Sequence, residues 1–187
     1  IDLKISRIKI LKKNKKFKFL KIDINNSIQI NNLLKKNKFK YVIHLAAQAG
    51  VRYSFENPKE YIDTNIVGFF NLINLIKNTK CKNFVYASSS SVYGHNKKMP
   101  FSENDRVDSP LSLYAASKKT NETIASSYSY LYNINVTGLR FFTAYGPYGR
   151  PDMALFKFTK NILEGKAIEV FNNGNHKRDF TYIDDII

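Results

Sequence analysis

Short apolar runs alternate with longer segments of helical periodicity, and this alternation restricts the fold more than any other feature of the chain. The runs are FKFLKIDI (17–24), YVIHLAA (41–47), NFVYASS (83–89), VTGLRFF (136–142) and IEVFNN (168–173). Their length and composition predict strands, and the middle three are continuous enough to predict burial on both faces. Helical spacing predicts helices over 58–78, 112–132 and 152–164. The alternation predicts an α/β fold, a doubly wound parallel sheet with helices on both faces.

The glycine distribution bears on how much of such a fold is present. A doubly wound nucleotide-binding fold normally begins with a Gly-rich turn, where a pyrophosphate approaches a helix N-terminus. The first glycine here is Gly50, so no such turn precedes the run 17–24. We therefore expect a truncated chain. Residues 1–147 would form a partial Rossmann-like NAD-binding domain without its first strand and Gly-rich turn, and 148–187 would begin a smaller substrate-binding lobe.

The net charge of +15 is concentrated at the start of the chain. Residues 1–40 contain 12 lysines and one arginine against two aspartates, which accounts for +11. Lysine lacks the planar fork of donors with which arginine reads base edges, so specific nucleic-acid binding is not expected. A solvated lysine surface and a nonspecific affinity for phosphate both fit this segment.

The composition favours a cytoplasmic protein outside the membrane. No window holds the roughly 18 uninterrupted apolar residues of a membrane span, and no signal-peptide pattern opens the sequence. The single cysteine, Cys81, has no partner for an internal disulfide, which fits a reducing compartment. The three histidines, His44, His95 and His176, are too scattered to predict a metal site.

The predicted helix 112–132 carries Tyr114 and Lys118 four residues apart. Positions i and i+4 share one face of a helix, and an ammonium held near a phenol favours the phenolate. Tyr114 would then serve as an acid/base near neutral pH. An amphipathic helix with a surface lysine fits the same spacing, so the pair needs support from the rest of the chain.

Three further segments place small or polar residues where a ligand would bind. Serines 88–91 follow a predicted strand and precede Gly94, and ligands of open α/β sheets bind beyond the carboxyl ends of the strands. The segment IHLAAQAGVR (43–52) ends a strand in small residues, which permits close approach of a planar ligand. Arg150 and Arg178 lie in turn-rich segments and could each grip an anion through two donors, although a surface salt bridge explains either arginine as well.

Five motifs occur in an order that resembles one protein family. They are HLAAQAGVR, YASSSSVYG, YAASK, LRFFTAYGP and RDFTYIDD, and their order is similar to that of the extended short-chain dehydrogenase/reductases, the NAD-dependent nucleotide-sugar epimerases and dehydratases. Within that family, AAQAGVRYSFENP, FFTAYGPYGRPDMALFKFTKNILEGK and RDFTYIDDI are most similar to the UDP-glucuronate 4-epimerases. The resemblance extends from about residue 17 to the end of the sequence.

The resemblance implies a set of catalytic residues. Tyr114 corresponds to the base that takes the proton from the sugar 4-hydroxyl while hydride passes to NAD. Lys118 corresponds to its partner, which also holds the nicotinamide ribose. Ser89, 25 positions before Tyr114, corresponds to the hydroxyl that polarises the 4-oxygen. Ser90 and Ser91 compete for this role, and the uronate-specific branch favours Ser91.

The resemblance also implies binding residues for NAD and for a UDP-sugar. The dinucleotide would contact Asp23, Ile24, Leu45, Ala46, Ala47, Asn65, Tyr114 and Lys118. The UDP-sugar would contact Ser90, Thr143, Arg150 and Arg178. In this set Arg178 corresponds to a ligand of the uridine diphosphate and Arg150 to the group that holds the sugar carboxylate. Thr143 occupies a position that many galactose-type epimerases fill with Asn, which favours the uronate branch.

The implied activity is that of a nucleotide-sugar 4-epimerase, an isomerase that interconverts UDP-glucuronate and UDP-galacturonate through a 4-keto intermediate with bound NAD. The chemistry agrees with this assignment, because no carbonyl acidifies the C4–H of the sugar. Oxidation, rotation of the sugar and reduction from the other face avoid direct proton abstraction and need one acid/base and no metal.

Other functions stay open. A UDP-glucose 4-epimerase is the nearest alternative. A 4,6-dehydratase fits less well, because such enzymes have an Asp–Glu pair where this chain has no carboxylate between Ser88 and Gly94. Outside the enzymes, the chain would be an inactive fragment or a basic nucleic-acid-binding module. Related epimerases pair two helices per subunit, so we expect a homodimer through helices 58–78 and 112–132.

Overall fold

The computed structural model describes residues 2–175 and 177–187, so His176 lies outside the described residues. By internal packing the chain divides into two compact units. The first unit is Lys21–Phe141, and the second combines the described part of 1–20 with Phe142–Ile187. The predicted division after residue 147, between a cofactor domain and a substrate lobe, stays a prediction.

The elements alternate along the chain as in an α/β protein. In chain order they are helix α1 (Asp2–Leu11), helix α2 (Ser27–Lys36), strand β1 (Tyr41–His44), helix α3 (Tyr53–Glu56), helix α4 (Pro58–Tyr61), a π-helical turn (Ile62–Gly68), helix α5 (Phe69–Ile76), strand β2 (Asn83–Ala87), a 3-10 turn (Ser90–Tyr93), helix α6 (Leu113–Tyr132), strand β3 (Val136–Leu139), strand β4 (Thr143–Tyr145), helix α7 (Ala154–Leu163), a 3-10 turn (Phe171–Gly174), strand β5 (Phe180–Tyr182) and a final 3-10 turn (Ile183–Asp185).

The first unit is built on a three-stranded parallel sheet in the order β1–β2–β3. Val42, Phe84 and Val136 are in register across the three strands. Helices α2, α5 and α6 pack against the face that carries these side chains. The fully buried centre of this core contains aromatic and aliphatic side chains from β2, α5 and α6, namely Phe69, Ile73, Ile76, Phe84, Tyr86 and Ala125.

The opposite face of β1 is open and no residue of β3 is buried, so the prediction that the middle strands are buried on both faces is wrong for these two strands. Successive side chains of a strand alternate between the two faces. His44 therefore points to the helices and is 7% exposed, whereas Tyr41 and Ile43 are 63% and 66% exposed. Strand β1 has the apolar composition of a strand covered on both sides, but the described residues cover one.

The three predicted helices are confirmed. Segment 58–78 contains α4, the π-helical turn and α5, with Pro58 in the first turn of α4. Segment 112–132 corresponds to α6, which Ser112 caps by accepting the N–H of Ala115 at 3.1 Å. Segment 152–164 corresponds to α7, which ends before Gly165.

Two predicted strands are wrong. Residues 17–24 and 168–173 are apolar and partly alternating, but neither segment forms a strand. A strand needs a neighbour to satisfy its N–H and C=O groups, and among the described residues β1 pairs with β2 alone. Periodicity within a segment does not report whether such a neighbour exists.

The second unit contains a separate two-stranded parallel sheet, β4 with β5, in which Thr143 is opposite Phe180. The Arg7 guanidinium of α1 donates to the carbonyls of Tyr148 and Gly149 within this unit. Among the residues that the structure describes, none of the helices has the length and apolarity needed to cross a bilayer.

Candidate active site at the end of strand β2

Helix α6 places Tyr114 in its first turn and Lys118 one turn further along the same face. The half-buried Tyr114 ring meets the ring of Tyr61 edge-on, with 6.2 Å between centroids and an interplanar angle of 83°. Tyr61 is fully buried, and its hydroxyl donates to the carbonyl of Gly50 at 2.6 Å. This anchored ring limits where the Tyr114 ring can lie.

Lys118 is a buried lysine, so the alternative of a surface lysine is wrong. Lys118 is 3% exposed, and its Nζ donates to the carbonyl of Ala87 at 2.8 Å. Ala87 is the last residue of β2. Burial lowers the pKa of Lys118 to about 8, because removing the ammonium from water disfavours the charged form.

His44, the last residue of β1, is buried against two phenylalanine rings. Its ring is 5.6 Å from the ring of Phe69 and 6.2 Å from that of Phe84, centroid to centroid. Burial, reinforced by the positive charge of Lys118, lowers the pKa of His44 to about 4. The structure therefore makes His44 a neutral member of the core at neutral pH.

The predicted serine hydroxyls follow directly after β2. The Oγ atoms of Ser89 and Ser91 lie 3.1 Å apart, and Ser89 Oγ also accepts the N–H of Ser91 at 3.2 Å. Ser90 donates its N–H to the carbonyl of Phe141 at 2.9 Å. The 3-10 turn that contains Ser90 and Ser91 packs against α6. The structure thus brings the three candidate serines to the helix that carries Tyr114 and Lys118.

Gly94 ends this turn in a conformation that requires glycine. Its φ is +53°, and a Cβ at this position would lie 2.0 Å from the carbonyl oxygen of Ser109. Any other side chain would displace either the serine turn or the segment around Ser109.

Sequence reasoning missed an ion pair between Glu122 and Arg140 beside the serines. Arg140 donates Nε and Nη2 to the two carboxylate oxygens of Glu122, both at 3.0 Å. Ser88 Oγ donates to Glu122 Oε1 at 2.5 Å. Glu122 follows Lys118 by four residues, as Lys118 follows Tyr114. Extending this four-residue spacing by one helical turn would have indicated Glu122 as a candidate residue on the same face.

Asn65 lies in the π-helical turn and is 1% exposed. Its side-chain oxygen accepts the N–H of Gln48 at 2.8 Å, and its Nδ2 donates to the carbonyl of Gln48 and to Ser117 Oγ, both at 3.0 Å. Ser117 Oγ in turn donates to the carbonyl of Tyr114 at 2.8 Å. Asn65 therefore joins the loop after β1 to α6, and a direct contact with a dinucleotide stays a prediction.

The other predicted cofactor residues lie along the same unit. Leu45 and Ala46 are exposed and Ala47 is half-buried, directly after β1. Asp23 accepts the N–H of Asn25 at 2.8 Å and lines an open cavity of about 420 Å³ at the N-terminus of α2. Ile24 packs on Gly68, where a Cβ would lie 2.6 Å from Ile24 Cγ2. Their contacts with a dinucleotide stay predictions.

The predicted sugar-binding residues Thr143, Arg150 and Arg178 belong to the second unit. Arg150 is exposed and pairs with Asp152 through Nε, at 3.0 Å, and through Nη2. This pair lowers the pKa of Asp152. Arg178 is exposed and donates to the carbonyl of Lys177 at 2.9 Å, and Thr143 is half-buried in β4. Their predicted roles in substrate binding stay untested.

The first unit therefore combines a phenol, a buried amine and hydroxyls at the carboxyl end of a parallel strand. Such a set can accept and return a proton and can polarise a sugar oxygen. Across residues 2–175 and 177–187, no three His, Cys, Asp or Glu side chains converge as metal ligands would.

Comparisons with known proteins identify the family of the chain. Residues 4–187 match the NAD dependent epimerase/dehydratase family. The chain is 54% identical over 187 residues to Protein CapI of Staphylococcus aureus, covering 100% of this chain and 56% of that protein. It is 56% identical over 169 residues to UDP-glucuronate 4-epimerase 4 of Arabidopsis thaliana, covering 88% of this chain and 39% of that protein.

Among solved structures, the chain is similar to the UDP-glucuronic acid 4-epimerase from Bacillus cereus in complex with UDP-glucuronic acid and NAD. The TM-score is 0.92 at 38% identity, over 99% of this chain and 58% of that chain. The predicted α/β class with a Rossmann-like parallel sheet is confirmed. The chain spans 39% to 58% of the length of these relatives.

Proposed function

Because the chain belongs to the NAD dependent epimerase/dehydratase family, we propose that the whole protein is an NAD-dependent isomerase that interconverts UDP-glucuronate and UDP-galacturonate. The observation that carries this proposal is the burial of Lys118 at the end of β2, one helical turn from Tyr114 and beside the serine turn. The similarity to proteins named UDP-glucuronate 4-epimerase supports this substrate over other nucleotide sugars.

In the proposed reaction Tyr114 acts as the acid/base. In its deprotonated form the tyrosine oxygen takes the proton from the sugar 4-hydroxyl, and the resulting phenol returns the proton after the sugar has rotated. Lys118 supplies a positive charge from a dry environment, where its electrostatic effect is larger than in water. Ser89 and Ser91 donate hydrogen bonds to the 4-oxygen. NAD, when bound, supplies the acceptor for the C4 hydride.

Residues of the first unit fit an NAD molecule. The Asp23 carboxylate lines a cavity, and a carboxylate there suits the hydroxyls of a ribose. Ala46 and Ala47 have small side chains next to the carboxyl end of β1, which admits a planar ring system. The Asn65 side chain forms hydrogen bonds with both the backbone N–H and the backbone carbonyl of Gln48, in the same loop. In our proposal Asn65 acts on the cofactor through this loop.

The uronate preference rests on the second unit. Arg150 would hold the sugar carboxylate, Arg178 the uridine diphosphate, and Thr143 the pyranose. A UDP-glucose 4-epimerase is the second candidate, since it would use the same Tyr114 and Lys118 without needing Arg150. A nucleotide-sugar substrate and a free Cys81 thiol fit a cytoplasmic enzyme.

We also propose that the protein is a homodimer through the predicted helices 58–78 and 112–132. Apolar side chains on these segments remain exposed, namely Ile62, Val67, Phe70, Tyr130 and Leu131. Burying them against a second copy would remove apolar surface from water. Sedimentation velocity tests this arrangement, and a Phe70→Lys, Leu131→Lys double variant should shift the protein from dimer to monomer.

The activity is tested by incubating the whole protein, with NAD bound, with UDP-glucuronate and resolving the products by NMR or chromatography. We expect UDP-galacturonate to appear until equilibrium, and little turnover of UDP-glucose under the same conditions. Preferred turnover of UDP-glucose would support the second candidate. Absence of any C4 epimer would contradict both.

A further inference from the structure

Glu122 of helix α6 and Arg140 form an ion pair beside the serine turn, and the proposed chemistry does not use it. The side chains of Glu122 and Arg140 are 14% and 20% exposed, and two parallel hydrogen bonds of 3.0 Å join them. Burial raises the pKa of Glu122, but the hydrogen bonds from Arg140 and Ser88 and the positive charge of Arg140 lower it further, so the net shift is downward. Glu122 therefore remains a carboxylate.

This pair connects the parts that surround the serine turn. Glu122 accepts a hydrogen bond from the Ser88 hydroxyl at 2.5 Å. Ser88 directly follows Ala87, whose carbonyl accepts a hydrogen bond from Lys118. The Arg140 guanidinium lies over the Tyr93 ring, 5.0 Å from its centroid, at the other end of the turn. Arg140 Nη1 also donates to the carbonyl of Glu103 at 3.4 Å. Both ends of the turn are thus tied to the same ion pair.

Stability alone is a poor explanation for such a pair. Removing two charges from water is costly, and apolar side chains of similar volume often give equal or greater stability. A bidentate arginine–carboxylate contact instead restricts position and angle. Two side chains of helix α6 form hydrogen bonds with consecutive residues where β2 ends. Lys118 bonds to the Ala87 carbonyl and Glu122 to the Ser88 hydroxyl. Two contacts fix the direction in which the chain continues towards Ser89.

We infer that Glu122, held by Arg140, is a positioning residue that sets the orientation of the Ser89 and Ser91 hydroxyls relative to Tyr114. The inference rests on the proposed function in so far as these hydroxyls bind the sugar. Glu122 acts through Ser88 and the turn, and the reacting atoms are contacted by Tyr114, Ser89 and Ser91.

The first test is Glu122→Gln in the whole protein, which keeps the shape and removes the charge. We expect kcat to fall on the order of 10²-fold, since a misplacement of about 1 Å has an effect of that size. KM for the UDP-sugar and the amount of bound NAD should change less than about twofold, because Arg150 and Arg178, which we propose hold the sugar carboxylate and the uridine diphosphate, are untouched. Equal kcat for variant and wild type, with wild type active, would overturn the inference.

Asp105→Asn is a matched control. The Asp105 side chain is 13% exposed, pairs with Lys98 at 3.5 Å and accepts the N–H of Ser102 at 2.7 Å, so it is as buried as Glu122 and has similar partners. Within the described part of the chain, Asp105 forms no hydrogen bond or ion pair with the serines at 88–91. We expect wild-type kcat for this variant. A loss as large as that of Glu122→Gln would show a general effect of removing a half-buried carboxylate and would contradict the positioning role.

The second test measures the turn directly by amide hydrogen exchange and needs no substrate. The N–H groups of Ser91, Val92 and Gly94 are bonded within the turn to Ser89 or Ser91. In Glu122→Gln we expect these amides to exchange about tenfold faster, while that of Phe84 in β2 is unchanged. Unchanged exchange throughout would overturn the inference. Absence of epimerisation by wild type would count against the proposed function alone.

A double variant, Glu122→Leu with Arg140→Met, separates positioning from folding if the single variant unfolds. Apolar side chains replace both charges, so we expect a melting temperature close to that of wild type. Because the hydrogen bond between Ser88 and residue 122 is absent, kcat should stay low and the turn amides should still exchange rapidly. Recovery of kcat in the double variant would show that an unpaired charge, and not the lost tie, caused the defect.

Discussion

The two units differ in the burial of their predicted functional residues. In the first unit, Lys118 and Ser89 are 3% and 8% exposed and already bonded to neighbouring protein groups. In the second, Arg150 and Arg178 are exposed side chains on irregular segments. Chemistry that needs fixed geometry benefits from groups that do not reorganise during the reaction. Recognition of a variable substituent is compatible with exposed groups on loops.

Arg150 is an example of an exposed predicted residue that already has a partner. Its guanidinium is engaged by Asp152, two residues away, which presents the same carboxylate chemistry as the sugar acid. A uronate would have to compete with this pair. The fold already positions the proposed catalytic residues, whereas the proposed specificity residue is paired with a competing carboxylate.

The largest expected effect is that of Tyr114→Phe. Removing the proposed acid/base should lower kcat by on the order of 10³-fold or more, with little loss of bound NAD. Tyr128→Phe is the control, because it removes a phenol from the same helix, one that donates to Asn74 at 3.1 Å. Steady-state epimerisation and cofactor content are the measurements. Equal activity in Tyr114→Phe would remove this residue from its role and weaken the contrast between the units.

The buried site should also make stability depend on pH. The pKa of His44 is about 4 in the folded chain and near 6.5 in the unfolded one. The unfolded state therefore binds the proton first, and stability is lost as the pH falls from about 6.5 to about 4. The loss is on the order of 3 kcal/mol.

Urea unfolding of the whole protein at several pH values between 7.5 and 4.5 measures this loss. In His44→Gln we expect the dependence of the unfolding free energy on pH to be shallower by one proton over that range. His95→Gln, at an exposed position, is the control. An unchanged dependence in His44→Gln would show that another group controls acid stability.

Arg150→Ala should act on one substrate more than on another. We expect kcat/KM for UDP-glucuronate to fall by about 30-fold to 100-fold, as for loss of a charge-assisted hydrogen-bonded pair, with a change below about threefold for UDP-glucose. Asp152→Asn sharpens the test, since weakening the competing pair should lower KM for the uronate. A uniform loss on both sugars would assign Arg150 to folding or to phosphate binding.

The smallest effect is expected for an exposed ion pair of the second unit. Lys166 and Glu164 are 2.7 Å apart, with side chains 67% and 38% exposed. Glu164→Gln should change the unfolding free energy by less than about 0.5 kcal/mol, because solvent screens such pairs. Thermal unfolding measures this, and a change above about 1 kcal/mol would contradict the view that charges in this unit contribute little until a ligand binds.

Local patterns were sufficient for the helices and for part of the site. The helical spacing of apolar residues in 58–78 marks a helix from neighbouring residues alone. The spacing of Tyr114 and Lys118 predicted a shared face, and α6 confirms it. Residues 17–24 have an equally clear apolar pattern and form no strand, because pairing depends on a neighbour that is distant in sequence.

By itself the sequence determined the helix that carries Tyr114, the order of the motifs and the family to which they belong. These features depend on residues within a few turns of each other or on the order of short motifs along the chain. Only the tertiary structure decided that Lys118 is buried against Ala87, that Glu122 pairs with Arg140 and accepts from Ser88, and that Ile43 faces outward. Burial and long-range hydrogen bonds depend on which surfaces meet, and periodicity along one segment carries no record of its partner.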